Sequence, residues 1–187
     1  MTIILSTPTI CHPLPVKLFS RGELIPLERD VLWRIERGAI RTLTWNPLGK
    51  ANTLGYWGEG DVVGQPMTRM QVYEIQCLTS VEVSILPKHL WQQALDTILQ
   101  QAQQTEELLS IMHCPGAYQK TWKFLVFLSQ KFGCDVEKGR LLDLPITHEE
   151  IAEAVGTTRV TVTRMLQHFE AEGKLRRQKR RLILCQG

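Results

Sequence analysis

Short apolar runs between residues 31 and 86 alternate with turn residues, which is the pattern of β-strands. Five runs are rich in β-branched and aromatic residues: Val31 to Ile35, Ala39 to Trp45, Ala51 to Trp57, Val72 to Leu78 and Val81 to Leu86. Turn residues separate them at Gly38, at Asn46-Pro47-Leu48-Gly49 and at Gly58-Glu59-Gly60-Asp61. Because no helical pattern lies among these runs, they predict a compact antiparallel barrel or roll.

A long helix is predicted after the strands. Pro87 suits the first turn of a helix, where its missing N–H is not needed. From there a stripe recurs at spacings of four and three: Trp91, Leu95, Ile98, Ala102, Thr105, Leu109 and Met112. Glutamine and glutamate fill the other faces, and Cys114-Pro115-Gly116 ends the helix. A narrow stripe of this kind is typical of a coiled-coil seam and predicts a homodimer, whereas the alternative is that it packs on the roll.

Two further elements are predicted before residue 145. The segment Tyr118 to Phe132 has the apolar content of a helix that covers a helical pair from behind. Leu141 to Leu144 predicts a short strand that leads into this pair.

The segment from Ile146 to Gly173 predicts a helix-turn-helix. Thr147 and Glu150 have the spacing of a capping box, and Gly156 ends the first helix. Thr158 is placed to cap a second helix, whose buried stripe is Val162, Leu166 and Phe169. The first turns of this helix expose Arg159, Val160, Thr163 and Arg164, which we expect to contact bases. In a helix-turn-helix these turns enter the major groove, whereas the alternative is a helical hairpin with a basic surface.

Residues 174 to 185 predict a β-hairpin wing. Six of the first eight residues are basic, and the apolar run Leu182 to Leu184 follows. DNA phosphates favour such a cluster because binding releases counterions, whatever the base sequence. We expect phosphate contacts from the wing and from the helix-turn-helix, at Arg177, Lys179, Arg180, Arg181, Thr147, His148, Thr158 and Thr161. The alternative is a solvated basic tail.

The charge distribution separates the helix-turn-helix and the wing from the rest of the chain. Residues 1 to 139 hold 13 basic and 13 acidic residues, whereas residues 140 to 187 hold 9 and 6. The net charge of +3 therefore comes from the C-terminal quarter. A neutral unit joined to a basic one is typical of a protein that binds a polyanion.

Length and composition exclude several classes of protein. The chain has 187 residues, of which 43% are hydrophobic, which is enough for a real core. No apolar run reaches the length of a membrane span and no signal-peptide pattern is present, so we expect a cytoplasmic protein without a membrane partner. The five cysteines, at positions 11, 77, 114, 134 and 185, show no paired spacing and indicate reduced thiols.

Candidate chemistry is sparse. No nucleophile elbow, phosphate loop or carboxylate pair stands out, so we do not expect an enzyme. The histidines lack the spacing of metal ligands, and we expect no metal site and no cofactor. Two dipeptides, Cys11-His12 and His113-Cys114, leave a redox or metal role open.

From about residue 17 onward the chain resembles the cyclic-AMP-receptor/FNR family of bacterial transcription regulators. The resemblance rests on Phe19 with Gly22-Glu23, Gly38-Ala39-Ile40-Arg41, Gly60-Asp61 with Gly64 and, most specifically, ITHEEIAEAVGTTRVTVTRML. The segment Thr158 to Arg164 is most similar to the recognition helix of the cyanobacterial global nitrogen regulators. The family implies an α+β fold, with a shortened, cupin-like antiparallel β-roll, a long dimerisation helix and a C-terminal winged helix-turn-helix.

This resemblance implies an organisation and a function. We expect a sensor-like β-roll at residues 1–87, a dimerisation helix at 88–114 and a DNA-binding domain at 117–187. The expected function is transcription regulation by a homodimer on palindromic double-stranded DNA, with RNA polymerase as a further partner. The alternative is a degenerate paralogue that forms a heterodimer with a related regulator. The exposed Arg159 and Arg164 favour the first, because a pure protein partner has no need of them.

Two departures from the family concern its effectors. Cyclic-nucleotide binders carry a glycine–glutamate pair and a later arginine–serine pair, but here Gln65 follows Gly64 and Pro66 to Glu74 lacks the second pair. The arginines with which the nitrogen regulators hold 2-oxoglutarate correspond to Gln71 and Gln101, which provide no charge for its carboxylates. We therefore expect neither cyclic AMP nor 2-oxoglutarate to bind.

A third departure, Val160, lies on the base-reading surface. Relatives of the cyclic-AMP receptor have a glutamate there, which can accept from the N4 amino group of cytosine, whereas valine can only pack against the C5-methyl of thymine. With Arg164 suited to guanine, we expect a half-site that resembles the GTA and inverted TAC of the nitrogen regulators rather than TGTGA.

Overall fold

The computed structural model describes residues 15–178 and 181–185. Predictions for Cys11, His12, Lys179 and Arg180 lie outside this part of the chain. The strands are β1 (Val16–Phe19), β2 (Leu24–Ile25), β3 (Leu32–Arg37), β4 (Ile40–Trp45), β5 (Ala51–Trp57), β6 (Val62–Val63), β7 (Glu74–Cys77), β8 (Val81–Leu86), β9 (Gly133–Val136), β10 (Gly139–Leu142), β11 (Leu175–Gln178) and β12 (Arg181–Leu184). The α-helices are α1 (Leu95–Met112), α2 (Ala117–Phe132), α3 (His148–Val155) and α4 (Arg159–Ala171), and two 3-10 helices span Gln65–Met67 and Lys88–Ala94.

The N-terminal strands form the two antiparallel sheets of a roll. One sheet has the strand order β1-β8-β3-β6 and the other has the order β2-β7-β4-β5. Apolar side chains from both sheets form one buried cluster, which includes Trp33, Ile35, Ile40, Ile75 and Val83. The five strands that the apolar runs predict correspond to β3, β4, β5, β7 and β8, so the predicted roll is confirmed.

A 3-10 helix separates the roll from α1. The sequence predicts one helix from Pro87 onward, but the α-helix begins only at Leu95. The indole Nε1 of Trp91 donates to the carbonyl of Leu86 at 3.0 Å, and Trp91 packs with Ile98 on a buried cluster of the roll. This anchoring ties the first turns to the roll, so the alternative interpretation of the stripe holds at its first residue.

The C-terminal half is a winged helix-turn-helix. Helices α2, α3 and α4 pack on a four-stranded sheet with the order β11-β12-β10-β9. Their buried side chains form one core, which includes Phe124, Leu128, Ile151, Leu166 and Phe169. In the predicted wing, Leu175 pairs with Leu184 and Gln178 pairs with Arg181. The predicted α+β fold is thereby confirmed.

The roll and the C-terminal half share this core. Tyr56 of β5 is 1% exposed, and its ring centroid lies 5.5 Å from that of Phe124 in α2. Beside this contact, the buried Arg41 of β4 donates to the carboxylate of Glu153 in α3 at 2.8 Å. The first helix of the helix-turn-helix is therefore held directly against the roll.

Candidate nucleic-acid interface

A capping box fixes the start of α3. The backbone N–H of Glu150 donates to the Thr147 hydroxyl at 3.1 Å, and the N–H of Thr147 donates to the Glu150 carboxylate at 2.6 Å. Gly156 ends the helix with a φ of 69°, a left-handed conformation that glycine adopts without strain. The sharp turn that follows sets the angle between α3 and α4.

Helix α4 has one buried face and one exposed face. Its N-cap, Thr158, accepts from the backbone N–H of Thr161 at 3.2 Å, and the two hydroxyls lie 2.9 Å apart. The predicted stripe of Val162, Leu166 and Phe169 is completely buried. The opposite face is open to solvent, with Val160 61% exposed and Arg159, Arg164 and Gln167 exposed beside it.

Gln167 was missed by the sequence reasoning. It lies one turn beyond Arg164 and two turns beyond Val160, so it shares their face of α4. The signal that could have found it is the same helical spacing that identified the buried stripe on the other side.

Thr163 differs from the other predicted base-reading residues. Its hydroxyl donates to the carbonyl of Arg159 at 3.0 Å and lies 2.9 Å from Nδ1 of His148. Because the hydroxyl proton is already used, His148 must donate from Nδ1. Thr163 therefore presents a methyl group and an acceptor on the exposed side of α4. His148 links the start of α3 to α4.

The environment of His148 disfavours its charged form. Burial lowers the pKa of the imidazole below its ordinary value, and the positive charges of Arg177 and Arg159 lower it further, whereas Glu170 raises it. With Nδ1 donating to Thr163, Nε2 of the neutral ring is an acceptor, so the predicted phosphate contact of His148 requires the protonated imidazole.

Two wing arginines that were predicted to contact phosphates, Arg177 and Arg181, are paired with carboxylates. Nε of Arg177 lies 2.8 Å from a carboxylate oxygen of Glu170, and a guanidinium nitrogen of Arg181 lies 2.9 Å from one of Asp143. All four side chains are about a third to a half exposed. Such exposed pairs are weak, so a phosphate can replace the carboxylate.

A groove of about 610 Å³ lies between the wing and the start of α3. Its walls include Thr147, His148, Arg177 and Arg181, which the sequence predicted as phosphate contacts. Arg21, from the turn between β1 and β2, also lines the groove and lies 3.4 Å from the Glu150 carboxylate. No sequence pattern indicated that the roll reaches this surface, because only the packing of the two halves brings Arg21 here.

One side of α1 is apolar and open to solvent. Its three large residues are each more than half exposed: Leu95 (57%), Leu99 (55%) and Leu109 (58%). Ala102 and Thr105, both from the predicted seam, are exposed on the same side. In a single protomer this stripe has no covering layer among the described residues.

The exposed stripe differs from the predicted seam at three positions. Ile98 packs on the roll and Met112 packs on the core of the C-terminal half, which leaves both partly buried. Leu99, which was not among the predicted seam residues, is exposed instead of Ile98. The exposed stripe therefore runs through Leu95, Leu99, Ala102 and Leu109 at heptad spacing, with Thr105 exposed beside it, and a dimer seam along this stripe stays a prediction.

The three glutamines that mark departures from the family are not together. Gln101 lines a cavity between the roll and α1, whereas Gln65 and Gln71 are not among its lining residues.

Within residues 15–178 and 181–185, no group of three or more histidine, cysteine, aspartate or glutamate residues could hold a metal ion. In the same part of the chain, no helix combines the length and apolar character that crossing a membrane requires.

Comparison with known proteins identifies relatives along most of the chain. Residues 119–186 match the Crp-like helix-turn-helix domain. The chain is 36% identical to the regulatory protein CysR of Synechococcus elongatus over 170 residues, which are 89% of this chain and 82% of that protein. It is 30% identical to the global nitrogen regulator of the same organism, over 82% of this chain and 78% of that protein. These relatives are regulators and not enzymes, which confirms the predicted class.

Solved structures show the same fold. A CRP-family transcriptional regulator of Thermus thermophilus superimposes with a TM-score of 0.76 at 23% identity, over 91% of this chain and 92% of that one. A cyclic nucleotide-binding domain containing protein of Listeria monocytogenes superimposes with a TM-score of 0.79 at 15% identity, over 91% and 88%. Together with the sequence identity to CysR and the matching helix-turn-helix domain, these likenesses show that the chain belongs to the Crp/FNR family of transcription regulators.

Proposed function

We propose that the protein is a homodimeric, sequence-specific regulator that reads a two-fold symmetric DNA site. The observation that carries this proposal is the exposed face of α4, where Arg159, Val160 and Arg164 lie beside the basic wing. Within the described residues, neither Arg159 nor Arg164 pairs with a carboxylate, so both guanidinium groups are available for DNA. RNA polymerase is a further proposed partner, supported by family membership alone.

Base reading is assigned to the centre of this surface. Arg164 and Arg159 can donate two hydrogen bonds to the O6 and N7 atoms of a guanine, and Val160 can pack on a thymine methyl. Gln167 can bond to an adenine edge in the same groove. Thr163 contributes mainly a methyl group, because its hydroxyl proton is used within the protein.

Phosphate contacts are assigned to the rim. Arg177 and Arg181 border the groove beside α3, and Arg21 of the roll extends this basic rim beyond the winged helix-turn-helix. Such contacts hold the protein on the duplex without reading its sequence. Lys179 and Arg180 keep their predicted phosphate role on the strength of the sequence.

Two-fold symmetry is supported by the exposed stripe of α1. Leu95, Leu99, Ala102 and Leu109 follow heptad spacing, and pairing of two such stripes would bury them. The two recognition helices of such a dimer contact half-sites one helical turn, or ~34 Å, apart.

The proposed regulator acts without cyclic AMP or 2-oxoglutarate. The cavity that α1 shares with the roll presents Gln101 and, among the described lining residues, no arginine or lysine. Neither the phosphate of cyclic AMP nor the two carboxylates of 2-oxoglutarate find a cationic partner there.

Selection of binding sites from a random DNA pool tests the proposed function. Arg164→Gln should relax the preference at one base position in each half-site, at a cost of roughly 1–3 kcal/mol. Arg177→Gln should weaken all sequences alike and lower the salt slope by about one unit. Arg69→Gln, an equal loss of charge at an exposed position of the roll, should change neither.

The opposite pattern would contradict the assignment of roles. If Arg177→Gln changed the selected sequence and Arg164→Gln did not, the wing would read bases and α4 would not. Failure of the wild-type protein to enrich any site would contradict sequence-specific binding itself.

A further inference from the structure

The groove of about 610 Å³ beside α3 joins three arginines to a histidine. The arginines come from different parts of the chain: Arg21 from the turn between β1 and β2, Arg177 from β11 and Arg181 from β12. His148 is the first residue of α3 and is half-buried in the same wall. Of these four side chains, only the imidazole can gain or lose a proton near neutral pH.

Hydrogen bonds fix which nitrogen of His148 carries the hydrogen. The Thr163 hydroxyl donates to the carbonyl of Arg159 at 3.0 Å, and a carbonyl can only accept. The same hydroxyl lies 2.9 Å from Nδ1 of His148, where it must therefore accept, so Nδ1 carries the hydrogen. In the neutral ring, Nε2 has a lone pair and no hydrogen. A phosphate oxygen is also an acceptor, so the neutral ring offers it no donor at Nε2.

The surroundings of the ring favour this neutral form in the free protein. Burial lowers the pKa of His148 most, and the positive charges of Arg177 on β11 and Arg159 on α4 lower it further, whereas Glu170 on α4 raises it. Nε of Arg177 lies 2.8 Å from the Glu170 carboxylate, so the negative charge nearest the ring is already paired. The free protein therefore has little reason to hold a proton on Nε2.

A phosphate in the groove changes this balance. The other arginines that border the groove are paired in the free protein, Arg21 with Glu150 at 3.4 Å and Arg181 with Asp143 at 2.9 Å. A phosphate adds a negative charge to these pairs, and a negative charge beside an imidazole favours the protonated ring. Protonation also gives Nε2 a hydrogen, and a charged donor forms a stronger hydrogen bond to phosphate than a neutral donor does.

We propose that His148 takes up a proton from solvent when DNA binds, and that its Nε2–H then donates a hydrogen bond to a phosphate in this groove. DNA binding is thereby linked to proton uptake, and it strengthens as the pH falls through the range in which the ring is neutral in the free protein but protonated in the complex. The linkage ends at lower pH, where the ring is protonated in both states. This inference rests on the proposed DNA binding and adds a regulation of that site by pH.

Calorimetric titration counts the protons. The probe is a mixed-sequence DNA duplex of about 25 base pairs at low salt, because phosphate contacts supply essentially all of non-specific binding. The heat of binding is measured at about pH 6.5, near the ordinary pKa of histidine, in PIPES and in imidazole. These buffers have different ionisation enthalpies, so the difference in heat gives the number of protons taken up. We expect uptake by the wild type and an association constant that rises roughly 3–10-fold per protomer for each unit by which the pH falls.

Two histidine variants assign the protons to a residue. His148→Asn removes the titrating ring but keeps a side-chain N–H that can donate to Thr163, and it should lose most of the proton uptake. His89→Asn is the matched control at an exposed histidine of the 3-10 helix, which is not among the residues that line the groove. The proton uptake of this control should equal that of the wild type.

Thr163→Val tests the hydrogen bond that fixes the ring. Valine has nearly the same shape as threonine but lacks the oxygen that holds Nδ1–H. The neutral ring can then carry its hydrogen on Nε2 and donate to a phosphate without taking up a proton. We expect a smaller proton uptake than in the wild type, with an association constant at about pH 7.5 that is at least equal to that of the wild type. A purely structural role of Thr163 would instead lower the affinity and leave the proton uptake unchanged.

The wild type and His148→Asn decide the inference. Binding of the duplex by the wild type without proton uptake would overturn it, even if no variant folds. Equal proton uptake by the wild type and His148→Asn would overturn it as well, because the protons would then bind elsewhere. Both of these outcomes leave DNA binding intact, whereas a wild type that binds no duplex would contradict the proposed function itself.

Discussion

Neighbouring residues of α4 have different chemical roles because a helix gives each a different surrounding. Val160 is exposed and has no polar group, so in the proposed function its contact can only be with an apolar edge of a base. Thr163, three residues later, is held by Arg159 and His148 and has lost most of its freedom to bond with DNA. Its position on the first turns of the helix made Thr163 a candidate for base reading, whereas its hydrogen bonds leave mainly its methyl group for that role.

Val160→Glu is expected to change which base pair is preferred. The new carboxylate can accept from cytosine N4, whereas the valine methyls pack on thymine, so selection should shift toward a C·G pair at one position of each half-site. The expected change is that of one base contact, ~1–3 kcal/mol. Binding-site selection with wild type and variant in parallel measures it, and Gln119→Glu on α2 controls for the added charge. The same consensus from both proteins would show that Val160 does not face the bases.

His148 is expected to make stability depend on pH. Its folded-state pKa is lowered, chiefly by burial and then by Arg177 and Arg159, so the unfolded chain binds the proton more readily. Stability therefore rises with pH in this range. The full contribution is present above the ordinary pKa of 6.5 and is lost as the pH falls from there through the lower folded-state pKa.

Thermal unfolding between pH 5 and pH 7 measures this effect. The melting temperature of His148→Asn should fall less on acidification than that of the wild type, because asparagine does not titrate but keeps a donor near Thr163. His89→Asn, at an exposed histidine of the 3-10 helix, should behave like the wild type. Equal pH dependence in all three proteins would remove His148 as the cause.

At the scale of elements, local signals were sufficient for the helix-turn-helix and the wing. The capping threonines, Gly156 and the basic run with its following apolar run in the hairpin are set by residues within a few positions of each other. Strands β1, β2, β6 and β9 were not predicted, because runs of two to four residues form strands only through their partners. Arg21 reached the candidate interface only through packing between the two halves.

The sequence also could not predict which apolar residues lie on the exposed face of α1. Ile98 and Leu99 are adjacent apolar residues, and either gives an acceptable heptad stripe with the residues around it. Packing of Ile98 against the roll decides between them and leaves Leu99 in solvent. Periodicity thus predicted an amphipathic helix, while the tertiary contacts determined which stripe is free for a partner.

Disruption of the exposed stripe is expected to give monomers. In the double variant Leu99→Glu with Leu109→Glu, four buried carboxylates would face each other in a dimer, which is strongly unfavourable. Light scattering should report the mass of one chain, and DNA affinity should fall sharply because one half-site alone is contacted. The matched control Gln100→Glu with Gln103→Glu adds the same charge outside the stripe. A double leucine variant that stays dimeric would refute the seam.

At the scale of the whole molecule, the roll and the winged helix-turn-helix are one structural unit. Tyr56 belongs to the roll by sequence but to the core of the C-terminal half by packing. Arg41 and Lys131 add two largely buried ion pairs across the same boundary, with Glu153 and Asp61. The domain boundary suggested by composition is therefore a boundary of charge and function more than of folding.

Tyr56→Ala is expected to destabilise both halves together. Truncation of a buried aromatic side chain typically costs ~3–5 kcal/mol, and here the void would open between β5 and α2. Scanning calorimetry should show one transition, shifted to lower temperature, with probes in the roll and in the wing melting together. Leu48→Ala, at a side chain that is 89% exposed, should leave the transition in place. Melting of the roll alone would contradict the shared core.

The contact between Tyr56 and Phe124 also limits how such a chain can be recombined. A DNA-binding half moved onto the roll of another family member would lose its aromatic partner and leave Glu153 without its arginine. A chimera that carries β4 and β5 along with α2 and α3 keeps both pairs and should express better than one cut between α1 and α2. We expect the same constraint in natural sequence drift, with a change at Tyr56 favouring a compensating change at Phe124. New DNA specificities are therefore more easily reached by substitutions on the free face of α4 than by exchange of whole halves.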